Sequence, residues 1–312
     1  MIPEVVTVGR VSVDLYPEQT GVRLAEVRTF RKMLGGSPTN VAVATARLGR
    51  TTAVVTKVGD DPFGEYVRGA LREFGVDDSL VGTHPTLRTP LAFCELHPPD
   101  RFPLLFYRQP KAPDLELADG DLGDVVSSAM LLWTTGTGLS EEPSRSTTLA
   151  ALRRRGRRGI TLHDLDYRAV FWPGAAEAGR WNREALRHST VVVGNDEEVA
   201  VTLGRDHDAE SAARALLDLG PDLAVVKRGS DGVLAATRDG TLEVAPLQVD
   251  VVNGLGAGDA FGGALCHGLL AGWPLERVLR FANAAGALVA SRLGCADDMP
   301  TEAEVEELLC SA

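Results

Sequence analysis

Short apolar segments rich in β-branched residues alternate with longer segments of helical spacing through the middle of this sequence. The predicted strands cover residues 129–134, 159–164, 190–194 and 223–227, and the predicted helices cover residues 143–155, 175–188, 196–203 and 209–219. This alternation is typical of a mostly parallel sheet that is covered by helices on both faces. The sequence therefore predicts an α/β fold, in which ligands bind beyond the carboxyl ends of the strands.

The composition limits the kind of partner that this chain can bind. Of its 312 residues 44% are hydrophobic, which is enough for a large core, and the formal net charge is −11. A surface of that sign repels the phosphates of nucleic acid, so we expect no nucleic-acid partner. The one basic cluster, at residues 153–158, ends a helical pattern and is interpreted as a solvated face.

The cysteines and the apolar segments bear on the compartment. The cysteines are Cys94, Cys266, Cys295 and Cys310. Their spacing is neither paired nor metal-binding, which favours a reduced cytoplasm over a disulfide framework. The first residues lack the pattern of a signal peptide, and no apolar run reaches the length of a membrane span. We therefore expect a cytoplasmic protein with no membrane partner.

The segment at residues 249–273 carries the strongest functional signal. A β-branched run at 249–252 predicts a strand, a glycine-rich turn follows, and an apolar run at 260–270 predicts a helix. Glycines occur in many such connections, and this one fits neither the P-loop nor the dinucleotide-binding pattern. The glycines alone therefore leave a structural and a functional interpretation open.

The turn places anion-binding groups next to a carboxylate. Gly256, Ala257 and Gly258 leave the backbone N–H groups of a helix N-terminus unobstructed, and these groups attract an anion such as a phosphate. Asp259 follows directly, where a carboxylate would repel that anion unless it has a chemical task. We expect Asp259 to accept the proton of an attacking hydroxyl.

The turn resembles a known signature. Residues 256–259 match the end of the Asp-Thr-x-Gly-Ala-Gly-Asp signature of the ribokinase-like (PfkB) family of sugar kinases. The resemblance implies the ribokinase-like fold, ATP as phosphoryl donor and Asp259 as the base. Asn253 and Gly254 stand where the family usually has Asp-Thr, which leaves open whether a monovalent cation (K⁺) binds beside this loop.

A second segment of the same family signature lies near the start of the chain. Gly35 and Gly36 precede an apolar helix whose first turn carries Asn40, and Ser37 is predicted to cap that helix. The resemblance implies that Gly35, Gly36, Asn40 and an early aspartate, Asp14, hold sugar hydroxyls. Asp14 at the end of a predicted strand also fits an ordinary turn carboxylate.

Two predicted strands at 91–96 and 102–108 interrupt the α/β pattern. The resemblance implies one ribokinase-like domain over residues 1–312, with a small β-sheet lid formed by segments around 10–32 and 87–119. Such lids often form dimers, so we expect a homodimer. Tyr107 and Arg108 end the second strand and are predicted to contact substrate, although a surface salt bridge accounts for Arg108 equally well.

The loop at residues 163–172 is charged and aromatic where a simple connection would be short. It resembles the Asp-x-Asx-x-Arg-x-x-x-Trp segment of the family branch that acts on sugar acids, which implies that Arg168 grips a substrate carboxylate. A guanidinium suits that task because it can donate two parallel hydrogen bonds. The alternative is an internal pair of Arg168 with Asp164 or Asp166.

The resemblance also implies an ATP and magnesium site. Asn195 and Glu198 match the Asn-x-x-Glu motif that organises the magnesium ion and the phosphates, largely through water. Asn195 would serve equally well as a helix cap. The remaining residues implied on the nucleotide side are Lys227, Gly229, Gly232 and Asn283.

The predicted activity is transfer of the γ-phosphoryl group of ATP to the primary hydroxyl of a sugar acid. The combined motifs are most similar to the branch that phosphorylates 5-dehydro-2-deoxygluconate in myo-inositol breakdown. Kinases of 2-keto-3-deoxygluconate or fructose remain alternatives, as does a non-catalytic sugar or nucleotide sensor. A nucleoside kinase fits less well, because the charged loop at 164–168 suits a purine poorly.

Overall fold

The computed structural model describes residues 2–311. The strands are β1 (Val5–Val8), β2 (Ser12–Pro17), β3 (Phe30–Gly35), β4 (Thr52–Gly59), β5 (Val76–Asp77), β6 (Val81–His84), β7 (Leu91–Cys94), β8 (Leu104–Tyr107), β9 (Leu131–Thr135), β10 (Ile160–Asp164), β11 (Val191–Asn195), β12 (Leu223–Lys227), β13 (Val233–Thr237) and β14 (Gly240–Val244). The helices are α1 (Ser37–Arg47), α2 (Pro62–Glu73), α3 (Asp119–Leu122), α4 (Val125–Ser128), α5 (Ser144–Arg155), α6 (Ala175–Leu186), α7 (Asp196–Leu203), α8 (Ala209–Asp218), α9 (Ala257–Leu270), α10 (Leu275–Ala290) and α11 (Glu302–Ser311).

The chain divides into two compact units. The first contains the residues up to 9 together with 115–246, and the second contains 10–114 together with the residues from 247 onwards. Among residues 2–311, no helix combines the length and the apolar character needed to cross a bilayer.

The first unit is built on a mostly parallel sheet with the strand order β14-β13-β12-β11-β10-β9-β1. The pairs from β1 to β12 are parallel, and β13 and β14 extend the sheet in antiparallel fashion. Helix α8 packs Ala213 and Leu216 against Val226 and Ala236 in a fully apolar cluster. The buried strands therefore read as continuous apolar runs, as expected for a sheet covered by helices.

The second unit contains two sets of strands. Strand β4 pairs in parallel with β5 and β6, and a separate four-stranded sheet has the order β3-β2-β7-β8. Helix α1 packs so closely on α9 that a side chain at Gly263 would meet Ala44. The small sheet contains most of the segments that the sequence assigned to a lid, and the single kinase domain with a lid stays a prediction.

The predicted fold class, a mostly parallel sheet flanked by helices with a small additional β-sheet, is confirmed. The strand predicted at 249–252 is wrong. The backbone N–H groups of Val252 and Asn253 both donate to the Ala290 carbonyl, at 2.9 and 3.1 Å, and α9 begins at Ala257. β-Branched residues favour extended backbone, but a strand also requires a ladder partner, and here the end of α10 takes these donors.

Two further local predictions need correction. Helix α1 begins at Ser37 itself, and its N-cap is Gly36, with a φ of 100° and without a side-chain cap. A Cβ at Gly36 would lie 2.5 Å from the Arg10 carbonyl oxygen, so close backbone packing determines the residue at the cap. Asp14 is the third residue of β2 rather than the end of a strand.

The basic cluster at 153–158 is only partly a solvated face, because Arg155 is completely buried. Burial lowers the pKa of the Arg155 guanidinium to about 10, so it stays charged at neutral pH. Its acceptors are Thr161 Oγ1 and the carbonyl oxygens of Val126, Ala129, Met130 and Ile160, at 2.8 to 3.2 Å. Arg155 therefore ties together the amino ends of β9 and β10 and the turn that precedes β9.

Replacing Arg155 with leucine should destabilise the protein by about 3 kcal/mol or more, because several buried carbonyl groups would lose their donor. Urea unfolding followed by circular dichroism measures this change as a shift of the midpoint at constant slope. Arg154→Leu is the matched control, since the Arg154 side chain is 44% exposed on the same helix. Equal midpoints for the two variants would contradict the structural role of Arg155.

Candidate active site

The N-terminus of α9 is shaped by glycine and by a buried thiol. Gly256 is the N-cap with a φ of 85°, and a Cβ there would lie 2.6 Å from Cys295 Sγ. The Tyr16 hydroxyl forms a 2.7 Å hydrogen bond with the same sulfur, and all of these groups lie in the second unit. Glycine is thus required at 256 both by conformation and by space. The N–H groups of Ala257 and Gly258 belong to the first turn of α9, which makes this turn a fit for an anion.

Asp259 lies in that first turn and is hydrogen bonded to Asn40. Asn40 Nδ2 donates to Asp259 Oδ2 at 2.8 Å. Asn40 is only 3% exposed, and its Oδ1 is buried without a hydrogen-bond partner within residues 2–311. A buried acceptor of this kind is costly unless a ligand or water completes it.

Asp14 and Gly35 lie against one another in the small sheet. The Asp14 carboxyl occupies the space that a Cβ at Gly35 would need, and Ser12 Oγ donates to Asp14 Oδ1 at 2.6 Å. Burial raises the pKa of Asp14 to about 6, and the charge of Asp259 acts in the same direction, while Ser12 and Arg10 oppose the rise. The carboxyl is therefore largely ionised at pH 7.5 and protonated below pH 6.

These contacts join several of the residues that the sequence assigned to sugar binding. Asp14 and Asn40 each interact with Asp259, and Gly35 backs onto Asp14. Sequence reasoning missed Ser12, although its position two residues before Asp14 on one strand places both side chains on one face. It also missed Cys295, which is distant in sequence and carries no local pattern.

Tyr107 and Arg108 are used differently from the prediction. Arg108 forms a 2.5 Å ion pair with Asp114, and these side chains are 8% and 1% exposed, so the salt bridge foreseen as an alternative is present and buried. Ala92 lies opposite both Asp14 and Phe106 in the small sheet. Because neighbouring residues of a strand alternate between faces, Tyr107 lies on the face away from Asp14. The structure does not bring Tyr107 to the Asp14 cluster.

The loop predicted to bind a carboxylate lies in the first unit. Arg168 is 39% exposed at its side chain and lies 3.6 Å from Asp166 Oδ1 and 4.0 Å from Glu198 Oε1. Asp166 is buried, has a positive φ of 24°, and accepts a 2.6 Å hydrogen bond from Thr137. The internal pair with Asp166 is therefore present, but its length exceeds that of an ordinary hydrogen bond.

Asn195 and Glu198 form a reciprocal cap at the start of α7. Asn195 Oδ1 accepts from the Glu198 N–H at 2.9 Å, and Glu198 Oε2 accepts from the Asn195 N–H at 2.8 Å. The helix-cap interpretation of Asn195 is confirmed. Within residues 2–311 no cluster of three or more His, Cys, Asp or Glu side chains could hold a metal by itself. A magnesium ion held by Glu198 through water stays a prediction.

The loop after β12 carries the other residues predicted on the nucleotide side. Lys227 ends β12 directly beside Asn195, its partner in the parallel register. Gly229 and Gly232 both have positive φ, and a Cβ at Gly232 would meet the Val244 carbonyl. In the second unit, Asn283 lies half-buried on α10.

Asn253, which departs from the family signature, is fully buried and holds its own loop closed. Its Nδ2 donates to the Leu293 carbonyl at 2.7 Å, and its Oδ1 accepts from the Leu255 N–H at 3.0 Å. Both ends of the amide are thus used by backbone groups. The sequence left the binding of a potassium ion beside this loop as an open alternative.

The N-terminus of α9 is suited to a phosphate, and its first turn carries a carboxylate that is surrounded by further polar side chains. This arrangement suits phosphoryl transfer to a hydroxyl. The chain belongs to the pfkB family of carbohydrate kinases, whose model matches residues 3–302. It is accordingly a phosphotransferase that acts on a sugar.

The similarity to individual relatives covers almost the whole chain. The 5-dehydro-2-deoxygluconokinase of Clostridium perfringens is 34% identical over 98% of this chain and 92% of that protein. The enzyme of the same name from Geobacillus kaustophilus is 33% identical over 97% of this chain and 92% of that protein. The crystal structure of fructokinase from Xylella fastidiosa with bound ATP superposes with a TM-score of 0.86 at 27% identity, covering 99% of each chain. ATP is thus the nucleotide bound by a protein of this fold.

Replacing Gly256 with alanine should lower kcat/KM for ATP at least about tenfold, since the new Cβ would collide with Cys295 and shift the first turn of α9. Gly272→Ala is the matched control, because Gly272 also has a positive φ, of 67°, but open space around it. Both variants carry the backbone strain of about 1–2 kcal/mol. Steady-state kinetics at varied ATP compares them, and equal activities would show that the space beside Cys295 is unimportant.

Proposed function

We propose that this protein is an ATP-dependent kinase of 5-dehydro-2-deoxygluconate that phosphorylates the primary hydroxyl. The observation that carries this proposal is the similarity to two enzymes of that name over 97–98% of the chain. A coverage this complete includes every segment to which a site residue has been assigned. The substrate is a sugar acid, so the chain needs a group that recognises a carboxylate.

Arg168 is the residue proposed for that recognition. Its side chain is 39% exposed, so the guanidinium can be reached by a ligand. Asp166 Oδ1 and Glu198 Oε1 lie 3.6 and 4.0 Å from the guanidinium, so two carboxylates help to orient it. A substrate carboxylate offers two parallel charge-assisted hydrogen bonds, which are stronger than these contacts.

The chemistry is proposed to follow from the α9 N-terminus. Asp259 accepts the proton of the reacting hydroxyl as its oxygen bonds to the γ-phosphorus. The backbone N–H groups of Gly256, Ala257 and Gly258 stabilise the charge on the phosphoryl group in transit. Asp14 and Asn40, with the backbone of Gly35 and Gly36, hold the sugar hydroxyls.

The nucleotide is proposed to be held by backbone turns and a few polar groups. Lys227, with its positive charge, lies near the phosphates, the turn at Gly229 and Gly232 follows the nucleotide, and Asn283 lies beside the adenosine. Magnesium, when bound with ATP, neutralises phosphate charge. Glu198 would hold the water shell of the ion, and Asn195 keeps that carboxylate in place through the reciprocal cap.

Arg168→Ala should lower kcat/KM for 5-dehydro-2-deoxygluconate on the order of 100-fold, because a bidentate hydrogen bond to a charged group is lost. Activity with fructose, which has no carboxylate, should change less than threefold by the same reasoning. A coupled ATP-consumption assay with magnesium measures both, and includes 2-keto-3-deoxygluconate as a third substrate. Wild-type preference for 5-dehydro-2-deoxygluconate is the expected result.

Arg153→Ala is the matched control for Arg168→Ala, since Arg153 is an exposed arginine of the same unit that pairs with Glu184. It should leave all three activities unchanged. Preference of the wild type for fructose, with no effect of Arg168→Ala, would overturn the sugar-acid proposal. Preference for 2-keto-3-deoxygluconate would keep the carboxylate contact and replace the substrate.

We also propose that the protein is a homodimer, formed through one face of the small sheet, and that it works in the cytoplasm where ATP is available. Phe93 makes edge-to-face contacts with Phe30 and Tyr107, at centroid distances of 5.5 and 5.4 Å. On the same face Leu105 lies opposite Phe93 and is 47% exposed. This row of apolar side chains is the surface proposed for the partner copy.

Leu105→Arg should convert a dimer into a monomer, because burying an unpaired charge in an apolar interface costs several kcal/mol. Sedimentation velocity at micromolar protein measures the mass. Met130→Arg is the control, since Met130 is a similarly exposed apolar residue outside the small sheet. A wild-type protein that sediments as a monomer would overturn the dimer proposal.

A further inference from the structure

The Asn40 side chain donates to the proposed base with one end of its amide and buries the other end. A carboxylate only accepts hydrogen bonds, so the amide of Asn40 must turn its NH₂ group towards Asp259 Oδ2, 2.8 Å away. This fixes the orientation of the amide and directs Oδ1 to the other side. Asn40 Oδ1 is buried there and has no hydrogen-bond partner in the described part of the chain.

The backbone, rather than side-chain freedom, sets this distance. Asn40 lies in the first turn of α1, where its N–H donates to the Gly36 carbonyl at 2.8 Å. Further along the same pair of helices, a Cβ at Gly263 of α9 would come within 3.0 Å of the Thr45 N–H of α1. Two helices packed this closely hold Asn40 and Asp259 at a fixed separation.

Charged groups surround the hydrogen bond between Asn40 and Asp259. The charge of Asp259 contributes to raising the pKa of Asp14, so the two carboxylates lie close enough to repel one another. Arg10 compensates part of this repulsion at Asp14, and the buried Cys295 thiol, whose pKa is raised by burial, stays neutral. The Nδ2 group of Asn40 places a hydrogen-bond donor against Asp259 Oδ2 and so offsets part of this repulsion.

We propose that Asn40 is a positioning residue for the base: its Nδ2 holds Asp259 Oδ2 and thereby fixes the orientation of the Asp259 carboxylate towards the reacting hydroxyl. This proposal rests on the proposed role of Asp259. In the reaction the hydroxyl oxygen forms a bond to the γ-phosphorus, the bond from that phosphorus to the β–γ bridging oxygen breaks, and the proton passes to the Asp259 carboxylate. The Asn40 amide keeps its protons throughout.

Asn40→Asp and Asn40→Ala test this role through the pH dependence of kcat with both substrates saturating. The aspartate places a second carboxylate beside Asp259, so the acidic limb of the profile should move up by at least about one pH unit. The alanine should lower kcat roughly ten- to 100-fold, because the base loses its orientation. Thr39→Val is the matched control, since Thr39 Oγ1 donates to the Arg10 carbonyl on the same helix turn, and it should keep the wild-type profile.

The outcomes distinguish the positioning role of Asn40 from the role of Asp259 as the base. If both Asn40 variants raise only the KM of the sugar, with kcat and its pH profile unchanged, Asn40 is a sugar contact alone and the positioning role is overturned. If Asp259→Asn retains wild-type kcat, the base assignment itself fails. Thermal unfolding identifies a variant that does not fold, and Asn40→Ser then replaces it, because serine is too short to reach Asp259 and should show the kcat loss expected of alanine.

Discussion

The close contact of α1 with α9 is the constraint on which the candidate active site depends. It holds Asn40 at hydrogen-bond distance from Asp259, and Gly263 of α9 makes the approach possible, because a Cβ there would meet Ala44 of α1. Gly35 leaves room for the Asp14 carboxyl, and Gly256 leaves room for Cys295. At each of these positions glycine is required because a neighbouring group occupies the space that a side chain would need, and not because the backbone must be flexible.

The first unit supports its functional side chains in a different way. Thr137 fixes the buried Asp166, and Asp166 with Glu198 orients Arg168. Glu198 in turn is held by the reciprocal cap with Asn195. The proposed carboxylate-binding arginine and the proposed magnesium-side glutamate therefore share one network, so a change at either residue is expected to affect the other.

Much of the fold followed from sequence because strand and helix patterns are local. The bounds of β12 and α7 agree with the prediction to the residue. The strand expected at 249–252 failed because pairing depends on what lies next to the segment, which propensity does not encode. Arg155 was misread for a related reason: a run of arginines suggests a solvated face, and only the packing of α5 decides which of them is buried.

The site shows the same division. Residues 256–259, Asn40 and the Asn195–Glu198 pair could be predicted as site residues because each belongs to a short sequence motif. The face on which Tyr107 lies depends on strand register, and the approach of Cys295 to Gly256 joins residues far apart in sequence. Contacts of that kind become visible only in three dimensions.

Each end of strand β10 lies near a functionally distinct arginine. Arg155 fastens the amino ends of β9 and β10 with hydrogen bonds, and Arg168 lies in the loop that leaves the carboxyl end of β10. The arginine that secures the sheet is thus separated by the length of a strand from the arginine proposed to select the ligand. Sequence changes in the loop after β10 can therefore alter which acid is recognised, while Arg155 at the other end of the strand still stabilises the sheet.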